Sequence, residues 1–312
     1  MTLPLTKGLR LPRGPLHAPP DGFAPGSATD DELKKFIYPP RPNPTSAPKH
    51  YAVWQQIASC RPQFVSSTLS EAEITGLEEA RNWSGAVLPS TPPDDRVPFD
   101  CIIGSWIIPN LHPRRNANRT YKTGDYQCYT WVGMDGWTND DCVKIGVVLD
   151  LEVNVDDGGG TTQKRSACAA ILFRGKAEDT MTVHIFKDFA VDPGDFVTGW
   201  VWVTEDDDAI VGNGWICNRS SNKWVSASVD APDGVTFNGT SAEWIVAGKS
   251  PNVADAPLFP NYGATVFFNG LAHRKEDGTE SMEGAMMVAA QDIKSSAVRD
   301  TNGVIVYSAA LF

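Results

Sequence analysis

The sequence lacks the residue spacings that usually hold a metal ion. Its six cysteines include no Cys-x-x-Cys pair, and its five histidines are isolated from one another. Structural and catalytic zinc sites are commonly built from such closely spaced ligands. The Gly-x-Ser-x-Gly turn of many serine hydrolases is also absent. We therefore expect no metal and no other cofactor, although a Ser-His-Asp set assembled from distant residues stays open.

Basic residues and long apolar runs are scarce as well. Lys and Arg total 27 against 38 Asp and Glu, for a net charge of −11. Nucleic-acid binding needs a basic stripe, so we expect no nucleic-acid partner. No apolar run approaches the roughly 18 residues of a membrane span, and the N-terminus lacks the basic-then-apolar order of a signal peptide. These absences predict a cytoplasmic protein with no membrane partner and with reduced, mostly buried thiols, while secretion by another route stays open.

Proline, in contrast, is concentrated at one end of the chain. Residues 1–64 hold about half of the 23 prolines, a density that disallows regular helix and central strand over most of this arm. Two short helices are predicted within it, at 30–36 and at 49–57. The arm is interpreted either as a partner-binding or regulatory segment, or as an ordered wrap that covers a sheet edge.

Residues 65–312 are predicted to form the second unit, an all-β body. A capping-box pattern, Ser70-x-x-Glu73, predicts one short helix ending near Ala80. After it, β-branched and aromatic segments alternate with Gly, Pro, Asn and Asp clusters. The acidic runs 156–160 and 205–208 are interpreted as solvated hairpin tips rather than calcium loops. Thirteen strand candidates predict an antiparallel two-sheet β-sandwich: 82–88, 101–108, 126–134, 143–153, 166–174, 180–186, 196–204, 213–218, 223–229, 242–247, 264–270, 285–291 and 303–307.

A series of motifs occurs in one order between residues 80 and about 272. It comprises Asn82-Trp-Ser-Gly-Ala-Val-Leu88, Gly104-Ser-Trp-Ile-Ile-Pro109, Trp131-Val-Gly-Met-Asp-Gly136, Lys144-Ile-Gly146, Pro193-Gly-Asp195 and Ala242-Glu-Trp-Ile-Val246. In this series the chain resembles the glutamic peptidase family, also called the eqolisins. The ordered series is far more specific than any one of its members.

The resemblance implies a fold and a reaction. The fold would be a sandwich of the concanavalin A-like lectin/glucanase type, with the site on the concave face of one sheet. Family members hydrolyse peptide bonds at acid pH with a Glu as general base and acid and a Gln amide that stabilises the oxyanion. Glu243 falls on the catalytic Glu, and Lys144 falls on the catalytic Gln. A peptide or protein substrate is therefore the implied partner.

Two departures from the family pattern bear on activity. A Lys144 ammonium close to Glu243 is expected to lower the pKa of that carboxyl and to occupy the space meant for water and substrate, although a lysine could still stabilise an oxyanion. Where the family carries an aromatic- and Glu-bearing strand, this chain has the small and aliphatic segment 166–173. The pair is interpreted either as an altered dyad or as a plain salt bridge.

Three functions follow from these observations. The first is a glutamic-peptidase-like protein that is weakly active or inactive as an acid endopeptidase. The second is a lectin-type module that binds a peptide or glycan, with Asp135 in the groove and three tryptophans as stacking surfaces. The third is a self-associating structural protein, and the sequence leaves the oligomeric state open. The tryptophans are Trp131, Trp137 and Trp244; core packing is the favoured alternative for the first and last, and less so for Trp137, which lies in a loop.

Overall fold

The computed structural model describes most of the chain. The described residues are 13–15, 18–74, 82–89, 98–115, 118–139, 141–175, 181–206, 209–232, 235, 237–249, 257–274, 278–290, 295–301 and 303–308. They contain two α-helices, α1 (Asp30–Lys35) and α2 (Pro48–Ser59). The strands within the same ranges are β1 (Gln63–Phe64), β2 (Leu69–Ile74), β3 (Trp83–Pro89), β4 (Phe99–Ile107), β5 (Gly124–Met134), β6 (Cys142–Val155), β7 (Thr161–Arg174), β8 (Met181–Ala190), β9 (Phe196–Asp206), β10 (Ala209–Asn218), β11 (Lys223–Asp230), β12 (Ser241–Ala247), β13 (Ala264–Arg274), β14 (Gly278–Ser281), β15 (Met286–Val288), β16 (Ser295–Asp300) and β17 (Gly303–Ser308).

These strands form two sheets that pack face to face. One sheet has the order β1-β11-β10-β9-β4-β13-β17-β16, with β14 paired to β13, and the other has the order β15-β3-β12-β5-β6-β7-β8-β2. The named pairs are antiparallel except for β1 with β11. The predicted all-β, antiparallel two-sheet sandwich is therefore confirmed.

Alternation along the strands separates a core face from an outer face. In β12, Ala242, Trp244 and Val246 enter the apolar core between the sheets. Ile245 and Ala247 belong instead to a second apolar cluster on the outer face of the eight-stranded sheet. Because successive side chains of a strand point to opposite faces, Glu243 lies on that outer face.

The proline-rich arm packs on the outer face of the nine-stranded sheet. Trp54 and Tyr38 of the arm share an apolar cluster with Trp200, Trp215 and Trp224 of the sheet. At the edge of this sheet, β1 and Arg13 of the arm pair with β11. The arm thus covers a sheet face more than an edge. Both helices predicted in it are present as α1 and α2, and Thr29 caps α1 through a capping box with Glu32.

The helix predicted from Ser70 and Glu73 is wrong. These two residues lie in β2, which pairs with β8 along its whole length, and residues 75–80 lie outside the described part. A sheet edge that supplies backbone partners outweighs a local capping pattern. The thirteen strand candidates all overlap observed strands, whereas β1, β2, β14 and β16 had no candidate. The 156–160 run forms an exposed hairpin turn, as predicted.

The structure also bears on the predictions for the cysteines, metal ligands and membrane spans. All six cysteines are free, with only Cys60 exposed, as predicted. Within the described ranges, no group of three or more His, Cys, Asp or Glu side chains is arranged to hold a metal ion. No helix in these ranges is long and apolar enough to cross a membrane.

Candidate functional site

Glu243, Gly133 and Lys144 form one row across three neighbouring strands. Glu243 of β12 is opposite Gly133 of β5, and Gly133 is opposite Lys144 of β6. Adjacent strands lie about 4.8 Å apart, so the two outer backbones are separated by roughly 10 Å. Two long side chains that meet above a residue without a side chain can span this distance.

Gly133 makes the meeting possible. A Cβ atom at this position would lie 2.5 Å from Lys144 Cγ, closer than atoms of this kind approach. The aliphatic stem of Lys144 therefore occupies the place of the missing side chain and crosses β5. Its Nζ reaches Glu243 Oε2 at 2.5 Å. The sequence placed both residues at the site, and the structure brings them into direct contact.

Both oxygens of the Glu243 carboxylate are engaged. Oε2 accepts from Lys144 Nζ, and Oε1 accepts from the Ser241 hydroxyl at 2.6 Å. Ser241 and Glu243 are two residues apart in one strand and so share a face. Glu243 has no exposed surface, and Lys144 is 3% exposed. The ion pair is closed off from solvent.

Burial decides whether the pKa of Glu243 is raised or lowered. Removal from water raises the pKa of the Glu243 carboxyl, and this cost exceeds the lowering by Lys144 and by the Ser241 hydrogen bond. The expectation that Lys144 lowers the pKa of Glu243 is therefore wrong in its net direction. It considered the cation and left out the burial of the carboxyl.

Aromatic and aliphatic side chains cover the pair. Lys144 Nζ lies 3.8 Å from the centre of the Trp83 ring, a cation–π contact. Trp131 is buried in the same outer cluster and stacks on Tyr129, with ring centres 5.9 Å apart. Trp131 thus lies on the face that carries the pair, but as a packed side chain with 1% exposure.

Asp135 fixes the loop that leads into β12. Its carboxylate accepts from the backbone N–H groups of Asn238, Gly239 and Thr240 at 3.1, 2.9 and 2.6 Å, and from the Thr240 hydroxyl. Its own backbone has φ of +62°, which Asp tolerates better than most residues. Asp135 is fully buried, so the structure places it as a support of the strand that carries Glu243 and not in a groove.

The other two predicted tryptophans lie in different surroundings. Trp244 points into the inter-sheet core, where its Nε1 donates to the Ile103 carbonyl at 2.8 Å. The prediction that Trp244 offers a stacking surface is therefore corrected, because neighbours in a strand face opposite ways and Glu243 holds the outer face. Trp137 is half-buried at the border of the outer cluster, and its role in ligand contact stays a prediction.

The aliphatic segment 166–173 lies within β7 beside the pair. Leu172 is opposite Lys144 in the sheet, and Ala170 is opposite Gly146. Both side chains belong to the outer apolar cluster with Trp131. Around the ion pair this part of the sheet offers aliphatic surface rather than polar contacts.

Sequence reasoning missed three contributors to the site. Ser241 and Gly133 could have been found from strand alternation and register, because they share a face or a row with Glu243. Trp83 was recognised only as part of a motif. Its position above Lys144 depends on how β3 packs, for which the sequence carries no local signal.

Comparison with known proteins identifies the family and the fold. The model of the Peptidase A4 family matches residues 81–307. No curated protein was found to match the chain. Among solved structures, two of scytalido-glutamic peptidase, one with a peptide-based transition-state analogue and one with a transition-state analogue inhibitor, are each 16% identical to this chain. They match 73% of this chain and 98% of their own, with TM-scores of 0.51 and 0.52. Aspergilloglutamic peptidase from Aspergillus niger is 20% identical over 59% of this chain and 99% of its own, with a TM-score of 0.45.

Proposed function

Because the chain belongs to the Peptidase A4 family, the glutamic peptidases or eqolisins, we propose that it is a member whose peptide-hydrolysis site is closed by an ion pair. Glu243 corresponds to the family's catalytic Glu, and Lys144 stands where the family has Gln. In this state the protein is weakly active or inactive as an acid endopeptidase. The observation that carries the proposal is the 2.5 Å contact between Lys144 Nζ and a Glu243 carboxylate that has no exposed surface.

The occupied carboxylate argues against general-base catalysis. A general base must lie within hydrogen-bond distance of the water it activates. Lys144 and Ser241 already take one oxygen each. Each oxygen could accept a second hydrogen bond, but the carboxylate has no exposed surface. A catalytic water would therefore have to displace one of these partners or the apolar side chains that cover them, and loss of a partner costs the buried group a strong hydrogen bond.

The replacement of an amide by an ammonium argues in the same direction. A neutral Gln amide donates to a developing oxyanion without attracting the carboxylate beside it. Lys144 is instead attracted to Glu243, so one of its N–H donors is engaged and its ammonium is held against Trp83 before any substrate arrives. The aliphatic surface of Ala170 and Leu172 also leaves few polar partners for a peptide backbone.

Cleavage of denatured casein between pH 2 and 7 tests the proposal. The wild-type protein should cleave slowly or not at all at every pH, and little faster than a Glu243→Gln variant. Robust wild-type cleavage that Glu243→Gln abolishes would contradict the proposal. Urea unfolding of both proteins at each pH serves as the control that they remain folded.

A Lys144→Gln variant separates the two departures from the family. This change restores the family's dyad, but little activity is expected because β7 is also altered. Full acid peptidase activity from Lys144→Gln alone would show that the aliphatic strand has no part in the loss.

A binding role is the second candidate, and the half-buried Trp137 supports it. An aromatic ring at the border of an apolar cluster can stack on a peptide or on a sugar face. Peptide and glycan arrays probed with wild-type protein and with Trp137→Ala would test it. Binding lost in the variant supports a binding module, and no binding to either array contradicts it.

A further inference from the structure

A histidine lies buried between the proline-rich arm and the nine-stranded sheet. His50 of α2 has no exposed surface. Its ring lies over Trp200 of β9, with ring centres 5.2 Å apart, and its Nε2 is 4.0 Å from the Cys101 thiol of β4. The other ring nitrogen, Nδ1, is buried without a hydrogen-bond partner. A neutral imidazole tolerates such a place far better than a charged one.

The groups facing His50 give a positive charge no counterion. His273 of β13 lies 5.8 Å away between ring centres, and its Nδ1 contacts Asp100 at 2.8 Å. The Asp100 carboxylate is thus engaged by His273, while Cys101 receives the Trp200 indole N–H at 2.7 Å. Burial and His273 together lower the pKa of His50 to about 3. Two described segments of the arm pack on α2: Pro25–Ser27, which has no titratable side chain, and the segment that holds Tyr38 and Arg41, which contact Trp54.

The rest of the interface between the arm and the nine-stranded sheet is aromatic and apolar. Tyr38 meets Trp54, Trp215 and Trp224 edge to face, with ring centres 5.3 to 6.5 Å apart. Arg41 lies 5.1 Å from the Trp54 ring centre. These ring contacts are insensitive to pH in the acid range. Two ion pairs flank them, Arg41 with Asp30 at 3.4 Å and His273 with Asp100 at 2.8 Å, and a variant of His50 alone separates its effect from theirs.

A cavity flanks the same helix. Its volume is about 460 Å³, and Lys49, Ala52 and Val53 line it from α2, opposite Leu271 and Arg299 of the sheet. One side of α2 is therefore not packed against the body. The buried apolar side chains that hold the helix, Trp54 and Ile57 among them, lie outside this lining and join the cluster with the sheet tryptophans.

We propose that His50 makes the docking of α2 sensitive to acid, so that protonation of its ring releases the helix from the sheet and bares the aromatic face beneath. The docked state binds His50 only as neutral imidazole, whereas the released state lets it take a proton at its ordinary pKa of about 6.5. Docking is then fully favourable above about pH 6.5 and weakens as the pH falls toward 3.

The size of the effect follows from the two pKa values. With about 6.5 in the released state and about 3 in the docked state, the released population should rise on the order of a hundredfold between pH 7 and pH 4. Protection of β4 at pH 4 distinguishes this local release from unfolding of the whole sandwich.

Hydrogen exchange followed by mass spectrometry on the full chain tests the proposal. Peptides covering α2 (Pro48–Ser59) should lose protection between pH 7 and pH 4, after correction for the intrinsic pH dependence of exchange, while peptides covering β4 stay protected. Cys101 should gain reactivity toward 4,4′-dithiodipyridine over the same range. Unchanged α2 protection at pH 4 would overturn the proposal.

Two variants make the test specific. His50→Phe keeps a flat ring against Trp200 and cannot titrate, so α2 should stay protected at pH 4. His184→Gln is the matched control, because His184 is another buried histidine with a lowered pKa but lies on β8 of the opposite sheet; α2 should open as in wild type. Equal opening in His50→Phe and wild type would contradict the proposal. If α2 of His50→Phe is already unprotected at pH 7, the variant cannot be used, and the titration of His50 in the wild-type protein is followed by NMR instead. A His50 midpoint well below 6.5 supports the proposal, and a midpoint near 6.5 contradicts it.

Discussion

The two outer faces of the sandwich each bury a titratable group, but they do so in opposite ways. On the eight-stranded sheet, Glu243 is buried with the ammonium of Lys144, which reaches it from β6 across β5. On the nine-stranded sheet, His50 is buried neutral beneath the arm that carries it. The first group is buried by an ion pair between strands of the same sheet, and the second is buried by the proline-rich arm that packs on its sheet.

The two faces therefore respond to acid with opposite signs. The raised pKa of Glu243 favours the folded state below about pH 4.3, the ordinary value for Glu, and this contribution is lost as the pH rises through the folded pKa. The lowered pKa of His50 favours docking above about pH 6.5, and that contribution is lost as the pH falls. Acid favours burial of the carboxyl at the site and disfavours docking of the arm.

The largest expected effect comes from removing the cation at the site. Lys144→Met leaves Glu243 buried with only the Ser241 hydroxyl, and breaking a buried pair costs about 3–5 kcal/mol. The loss in free energy of unfolding, measured in urea, should be smaller at pH 4 than at pH 7 because a protonated Glu243 needs no cation. The double variant Lys144→Met/Glu243→Gln should recover most of the loss at pH 7. An equal loss at both pH values would refute the assigned direction of the Glu243 pKa.

Truncating Trp54 should separate the arm from the body. Trp54 packs on Tyr38 and donates through Nε1 to the Pro39 carbonyl at 3.0 Å. Trp54→Ala should weaken docking by about 3 kcal/mol, as for a large aromatic removed from a core. Hydrogen exchange should then rise in α2 at pH 7 while β5, β6 and β12 keep their protection. Loss of protection in these three strands as well would show that the two faces are not independent.

Features of the two faces that depend on local sequence patterns were predictable, and those that depend on contacts between distant segments were not. Strand positions were predictable because β-branched and aromatic runs alternate with turn residues. The helix at Ser70 failed because a capping pattern is local while β2 is decided by its pairing with β8. The orientation of Trp244 was available from strand alternation once Glu243 was placed outward. The burial of His50 depends on the arm meeting the far sheet, which no local pattern records.

Gly133→Ala should disturb the ion pair by steric obstruction of the Lys144 side chain. The added Cβ would lie 2.5 Å from Lys144 Cγ, so Lys144 must leave its path to Glu243. Overpacking of this kind costs about 1–3 kcal/mol, measured by urea unfolding at pH 7. In a Lys144→Ala background the cost should fall because the Cγ is gone, but part of it should remain because the added Cβ would still lie 2.7 Å from the Val143 carbonyl oxygen. Equal costs in both backgrounds would mean that the lysine does not cross at Gly133.

The smallest effect concerns the ring above the ammonium. Trp83→Phe keeps an aromatic face but weakens the cation–π contact with Lys144 and should cost about 1 kcal/mol. In a Lys144→Met background the cost should fall, leaving only the loss of packing. If thermal unfolding shows the same decrease in both backgrounds, the contact adds no stability of its own.

The most direct test of the closed site is the ¹⁵N spectrum of the lysine Nζ groups at pH 7, with Lys144→Gln used to assign the signal. A buried, ion-paired Lys144 ammonium should give a signal whose protons exchange slowly with water and which correlates with the Glu243 carboxylate carbon. Lys144 protons that exchange as fast as those of exposed lysines, with no correlation to Glu243, would contradict the closed ion pair and reopen acid peptidase chemistry at this site.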